Sequence, residues 1–357
     1  MRRRALALLG GLLLGVGAAE AAARMVTPSP GEQLLFAAPN LTPKGMYTFS
    51  ETYLTLPTAG FTGEIASLGY RVPIRINSLS TRGPEPGSGR KWLALGDSFV
   101  MAAQVAEADT FAARLGVKEG VEVINAGVDG WSTWQSLRRY RELDDRTGAD
   151  TAVLVYFLGN DLEDNERVPH MLKNPTPPGQ GPGGHAPPEV STDPVTRFLF
   201  THSYAFAYAR VAMKRHTLAT DFDGKRFKDE LLPFSAGGRQ RLQNLVGHSR
   251  EPLRQLRDEA RARGDRLVVA VAPPAFAVDP WVAETTFELF GVEGPEVNNP
   301  RDAVVGLLGE LGIAGCDLTP PLAAAVARGE APYFRFDGHW SPVGHAVVAD
   351  ALADCLK

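Results

Sequence analysis

The sequence predicts an α/β fold: three layers, α/β/α, around a doubly wound, five-stranded parallel sheet. Three observations lead there. First, short, mostly apolar runs recur, at Trp92–Leu95, Val121–Asn125, Thr151–Leu158, Arg266–Pro273 and Ile313–Leu318, the first with no turn residue. Runs of that length suit buried strands. Second, segments of helical period lie between them, and strands alternating with helices imply parallel pairing through right-handed crossovers. Third, the runs end in small or polar residues, Gly96-Asp97-Ser98 after the first and Gly159-Asn160-Asp161 after the third. In open α/β sheets, that edge is where ligands bind.

The elements follow in order. Met1-Arg2-Arg3-Arg4 is basic, Ala5 to Ala19 is uncharged, and Ala19-Glu20-Ala21-Ala22 offers small residues. Residues 1–24 therefore read as an export signal, which places the protein outside the cytoplasm. An uncleaved signal anchor, with Glu20 and Arg24 at its outer end, stays open. Residues 25–90 read as an extended N-terminal arm: a proline-bearing linker, then short strands around Tyr47, Tyr53 and Tyr70. The main domain covers 91–357, with an insertion at about 165–250. After Ser98 a helix is expected through about Leu115, its regular part starting near Asp109. Trp131 to Arg146 reads as an amphipathic helix. Within the insertion, Asn174 to Pro194 is loop by composition. Val195 to His216 reads as one helix bearing Phe198, Phe200, Tyr204, Phe206 and Tyr208. It serves as a lid, faces a membrane, or packs on the sheet or the arm. Helices at Glu251–Arg263, Asp279–Phe290, Arg301–Leu311, Pro320–Arg328 and Val343–Leu356 complete the alternation.

Composition narrows the function. Of 357 residues, 44% are hydrophobic and 22% charged, and the net charge is −4. No basic run or zinc-type spacing asks for a nucleic-acid partner. Two cysteines, Cys316 and Cys355, fit a disulfide in an exported chain or two buried thiols equally well. His339 and His345 lie too far apart across a helix start for a usual ligand pair. No metal or cofactor is expected.

Four polar clusters fall past strand ends or before the last helix: Ser98, Gly130, Asn160, and Asp337 with His339. The C-terminal ends of a parallel sheet share one edge, so these groups can meet. A serine hydroxyl needs a base, and His339 can be one. Asp337 can hold the imidazole in the right tautomer. The backbone N–H groups of Ser98 and Gly130 and the amide of Asn160 can receive an oxyanion. Each residue also has a plain alternative. Gly130 suits a turn, Asn160 a strand-end cap, and Asp337 with His339 a cap before the helix. Gly127 competes with Gly130 as the oxyanion donor.

The stretches LALGDSF, VINAGVDGWST, YFLGNDLEDN and FDGHWSPVGH resemble, in order, the four blocks of the SGNH (GDSL) hydrolases. The resemblance implies a flavodoxin-like SGNH hydrolase fold. It also implies Ser98 as nucleophile, Gly130 and Asn160 in the oxyanion hole, His339 as base and Asp337 as acid. It favours Gly130 over Gly127 by block position. NSLSTRGPE before the first strand resembles a lead-in of exported bacterial members. Two departures stand out. The last block is Asp-x-His followed by Trp340, where Asp-x-x-His is commoner. That form is similar to the SGNH-like O-acetyltransferases of bacterial exopolysaccharides, such as the alginate ones. And Met101-Ala102-Ala103-Gln104 stand where glycines often follow Gly-Asp-Ser, which reshapes the space beside Ser98.

Three functions compete. The first is an exported serine esterase that removes an acyl group, acetyl by expectation, from a glycan or lipid. The second is an O-acetyltransferase acting on an exported polysaccharide with the same triad. The third is a non-catalytic glycan-binding protein. The expected partner is thus an acylated carbohydrate or lipid, with a membrane contact through the N-terminal segment left open, as is the oligomeric state.

Overall fold

A computed structural model describes residues 2–25, 42–176, 194–217, 222–334 and 337–357. Most of the linker expected at 25–45 and of the loop at 174–194 lies outside them.

The chain begins with helix α1 (Arg2–Met25). Four short strands follow as two antiparallel hairpins, β1 (Tyr47–Ser50) with β2 (Leu54–Pro57) and β3 (Thr62–Ser67) with β4 (Tyr70–Arg75). The central sheet contains β5 (Lys91–Leu95), β6 (Glu122–Asn125), β7 (Thr151–Phe157), β8 (Arg266–Ala272) and β9 (Ala314–Asp317). Its order is β6-β5-β7-β8-β9, all parallel. That is the flavodoxin-like order, and it reverses direction between β5 and β7. Ser98 and Asn160 follow the C-terminal ends of these two adjacent strands, the edge at which ligands bind in open α/β sheets.

The helices of the main domain are α2 (Ser98–Met101), α3 (Phe111–Glu119), α4 (Thr133–Thr147), α5 (Asp161–Lys173), α6 (Pro194–His202), α7 (Tyr204–Thr217) and α8 (Phe222–Leu231). Then come α9 (Arg239–Arg263), α10 (Pro280–Phe290), α11 (Asn299–Leu311), α12 (Thr319–Ala327) and α13 (Pro342–Cys355). The two-residue period of the strands sorts side chains onto two faces. Leu93 and Leu95 of β5, with Leu154 and Tyr156 of β7, pack under α4, α9 and α11. Trp92 and Ala94, with Val153 and Val155, pack under α3, α12 and α13. Helices on both faces make the three layers. Cys316 of β9 and Cys355 of α13 form a disulfide, with Cα atoms 5.9 Å apart.

The structure departs from the sequence reading in three places. The helix after Ser98 is one turn long and stops at Ala102, whose backbone is left-handed at φ 53°. The buried guanidinium of Arg82 takes over there, donating to the carbonyls of Met101, Ala102 and Val105. The helix expected over 195–216 is two helices, α6 and α7, broken at Ser203. Ser203 Oγ accepts from Phe206 N, and the Glu20 carboxylate of α1 accepts from Tyr204 N and Ala205 N, each at 3.1 Å. Competing side-chain acceptors of this kind end a helix and start another. Of the aromatics there, Phe200 is buried and Phe198 exposed. Finally, α9 begins at Arg239, well before the expected Glu251. Among the described residues no helix is long and apolar enough to cross a membrane. The anchor reading of the N-terminus is not supported.

Candidate active site

Ser98 stands where β5 leaves the sheet. Gly96 makes the turn with φ 146°, and a Cβ there would sit 2.8 Å from the Val155 carbonyl oxygen, so only glycine fits. Asp97 is fully buried and caps α2, accepting from Phe99 N at 2.9 Å. Ser98 is thereby set at the first position of the helix, half-buried, with its hydroxyl toward His339.

His339 comes from the loop between α12 and α13. Tyr333 bridges Trp340 across that loop, and Phe334 N donates to His339 O at 2.8 Å. Ser341 caps α13 through Val343 N and Gly344 N. The imidazole lies against Phe99, the residue after the serine, with ring centroids 4.9 Å apart. Trp340, fully buried, meets the same Phe99 edge-on. The tryptophan of the last block therefore packs on the same phenylalanine as the imidazole.

His339 Nε2 is 2.8 Å from Ser98 Oγ, although 241 positions separate them. Its Nδ1 is hydrogen-bonded to Asp337 Oδ1. The Asp337 carboxylate also accepts from His339 N at 3.3 Å and, on Oδ2, from the Tyr70 hydroxyl at 2.8 Å. Burial alone would raise the pKa of Asp337, but His339 and the Tyr70 hydroxyl hold it below 3.8. An ionised carboxylate only accepts, so Nδ1 carries the proton and Nε2 presents its lone pair to Ser98. Burial works against a charged His339. The Asp337 carboxylate outweighs it, with Asp129 and Asp97 adding, and the pKa is raised above 6.5. A serine held in this way can pass its proton to the imidazole and attack a carbonyl.

The oxyanion candidates differ in setting. Gly130 is exposed, with φ 72° and nothing within 4 Å of where a Cβ would stand. Gly127 is pressed against α2, where a Cβ would lie 2.4 Å from Val100 Cβ and 2.5 Å from Met101 N. Asn160 precedes α5. Its Nδ2 donates to Asp164 Oδ2 at 2.9 Å, and its buried Oδ1 finds no partner among the described residues. One amide hydrogen remains for another acceptor. The neighbouring Asp161 is spent on structure, accepting from Phe157 N at 2.8 Å.

His345 does not join this group. Its Nδ1 accepts from Phe111 N at 3.2 Å, and burial pushes its pKa down to about 3. It is a neutral core histidine packed on Phe111 and Trp340.

Two residues at the site were not found by sequence reasoning. Tyr70 touches Asp337, and Tyr47 donates to Asp129 Oδ2 at 2.9 Å. Both belong to the N-terminal hairpins. An aromatic residue in a short strand carries no mark of a partner far along the chain.

Comparison with known proteins adds a family. Residues 234–357 match the family described as "SGNH hydrolase-like domain, acetyltransferase AlgX". The matched span includes Asp337, His339 and Trp340 and ends well short of Ser98 in the other direction. A protein of Pseudomonas putida named "Probable alginate O-acetylase AlgJ" is 30% identical over 136 residues, which are 37% of this chain and 31% of that relative. The alignment thus spans about a third of the relative's length. Among solved structures, a catalytic mutant of Axe2, an acetylxylan esterase from Geobacillus stearothermophilus, is similar at 14% identity and a TM-score of 0.39. It covers 76% of this chain and 96% of that one. A lipase/acylhydrolase from Enterococcus faecalis matches at 14% identity and a TM-score of 0.38, over 74% and 94%. Neither likeness carries an argument about function.

Proposed function

We propose that this SGNH-like chain is an O-acetyltransferase that moves an acetyl group onto a hydroxyl of an exported polysaccharide, through an acyl-enzyme on Ser98. One observation carries the reading: the line Asp337–His339–Ser98 is made by an Asp-Gly-His-Trp block that falls inside the span matching an acetyltransferase family. In the first half-reaction Ser98 Oγ attacks the acetyl carbonyl of a donor ester and gives its proton to His339 Nε2. The tetrahedral oxyanion is held by the N–H groups of Ser98 and Gly130 and by the second amide hydrogen of Asn160. Collapse breaks the donor ester bond, and His339 returns the proton to the departing alcohol. In the second half-reaction a sugar hydroxyl passes its proton to His339 and attacks acetyl-Ser98. The acetylated sugar leaves, and Ser98 recovers its proton. With water in place of the sugar, the same steps give an esterase, which is the second reading.

Export is part of the proposal. The basic and apolar N-terminal segment supports it, as does the Cys316–Cys355 disulfide, which suits an oxidising compartment.

The test is turnover of a chromogenic acetyl ester by the full chain and its Ser98→Ala variant, with and without oligosaccharide acceptors. Transfer predicts slow Ser98-dependent release alone, faster release with acceptor, and recovery of acetylated sugar. Release into water that ignores the acceptor supports the esterase instead. Turnover that survives Ser98→Ala would refute both. No turnover at all would leave the glycan-binding reading.

A further inference from the structure

Resting on the acyl-enzyme reading of Ser98, we propose that Tyr70 is a positioning residue of the Ser98–His339–Asp337 line. Brought in by the β3–β4 hairpin, its hydroxyl fixes Asp337 and sets how strongly that carboxylate holds His339.

Among the described residues, the Tyr70 hydroxyl is what the carboxylate meets from outside its own loop. Its Oδ1 accepts twice, from the ring and the backbone of His339, a residue two positions away. Those bonds tie Asp337 to His339 but do not fix the pair to the body of the protein. The Tyr70 bond does, from 267 positions away. Tyr70 is buried, and its ring packs on Phe334 of the same loop, with centroids 5.3 Å apart. The hairpin is itself firmly seated. Its Ile65, Val72 and Ile74 form one cluster with Met101 and Ala103, just past the nucleophile. A single element thus braces both the loop after Ser98 and the loop before His339.

The charge consequence follows. Burial and the Asp337 carboxylate push the phenol of Tyr70 far above its ordinary pKa, so it remains protonated and donates. A donor on Oδ2 draws charge away from Oδ1 and weakens the pull of the carboxylate on the His339 proton. The other groups acting on these residues are Asp129 and Asp97 at His339, and Ser67 and Asp129 at Tyr70. All remain when the Tyr70 hydroxyl is removed.

The experiment compares full-length wild type, Tyr70→Phe, Asp337→Ala, the double variant, and Ser98→Ala. Two readouts are taken: the His339 titration by NMR of histidine-labelled protein, and the rate of fluorophosphonate labelling against pH. Tyr70→Phe is expected to raise the His339 pKa by about half a unit to one unit and to slow labelling about tenfold. In the Asp337→Ala background the same change should do neither. A fluorinated tyrosine at position 70, a stronger acid of nearly the same shape, should move the His339 titration down. It also serves if Tyr70→Phe fails to fold. An unmoved titration, or an equal loss of labelling in the Asp337→Ala background, overturns the proposal and leaves a hairpin of purely structural value. Labelling that ignores Ser98→Ala overturns the acyl-enzyme reading instead, and the His339 titration still reports on Tyr70.

Discussion

Asp337→Asn separates the charge of the site from its shape. In the native site both carboxylate oxygens accept, Oδ1 from two N–H groups of His339 and Oδ2 from the Tyr70 hydroxyl. An asparagine must turn its NH2 toward one side. On the His339 side the backbone N–H cannot become an acceptor, though the ring Nδ1 can by moving its proton to Nε2; on the other side a phenol can rotate and accept. The amide oxygen should therefore keep His339, and Nε2 should still face Ser98. What disappears is a negative charge beside the imidazolium that forms during attack. Two unit charges about 4 Å apart, at an effective dielectric of about 20, interact by about 4 kcal/mol. Lost from the transition state, that is a rate reduction of roughly 10³-fold. A flipped tautomer would cost about ten times more. The assay is kcat/KM on an acetyl ester across pH. His339 must be neutral to act as base, so activity falls as pH drops through its pKa. Asp337 raises that pKa, so its loss should move the acidic limb to lower pH. A loss below tenfold, or an acidic limb that moves up, would refute the reasoning.

Further outcomes can be checked by routine unfolding and rate measurements. Gly127→Ala drives a methyl group into Val100 and Met101 N and should cost about 1–3 kcal/mol in denaturant unfolding. Gly130→Ala meets only left-handed backbone strain of about 1 kcal/mol, yet should lose activity out of proportion to stability. Equal behaviour of the two glycines would contradict this. Asp97 is held up at about 7 from 3.8, chiefly by burial, so the folded state binds its proton more tightly than the unfolded chain. Its stabilising contribution is full below about pH 4 and is lost as pH rises through about 7. Asp97→Asn keeps an acceptor for Phe99 N, so unfolding midpoints should lose that decline. At pH 8 the variant should be the more stable by on the order of 2 kcal/mol. Replacing Cys316 and Cys355 by Ser opens a loop of 39 positions and should cost about 4 kcal/mol on the chain-entropy estimate. A urea midpoint unchanged by reductant would deny the bond.

What the sequence could show depended on how local the cause was. Leu93, Leu154 and Val269 lie in runs short and apolar enough for buried strands, and these are adjacent strands of the sheet. Ser98, Asn160 and His339 each follow a strand or precede a helix, so the sheet edge that unites them could be inferred. The break at Ser203 could not, because half its cause is Glu20, on another helix. Ala102 could not be read as left-handed, since the compensating Arg82 lies twenty positions earlier. Tyr70 was the least legible. Its role arises from tertiary approach alone, and a tyrosine in an alternating strand looks like any half-buried aromatic.

The separation of Ser98 from His339 by 241 positions bears on when the protein can first act. During synthesis the nucleophile emerges first, and the base follows 241 positions later. Contacts this distant in sequence form late, because a long loop must close before they are rewarded. A partly delivered chain would therefore display Gly-Asp-Ser and remain inert. The Cys316–Cys355 bond, tying β9 to α13, would stitch down the same terminal segment that delivers His339, so oxidation and competence would mature together.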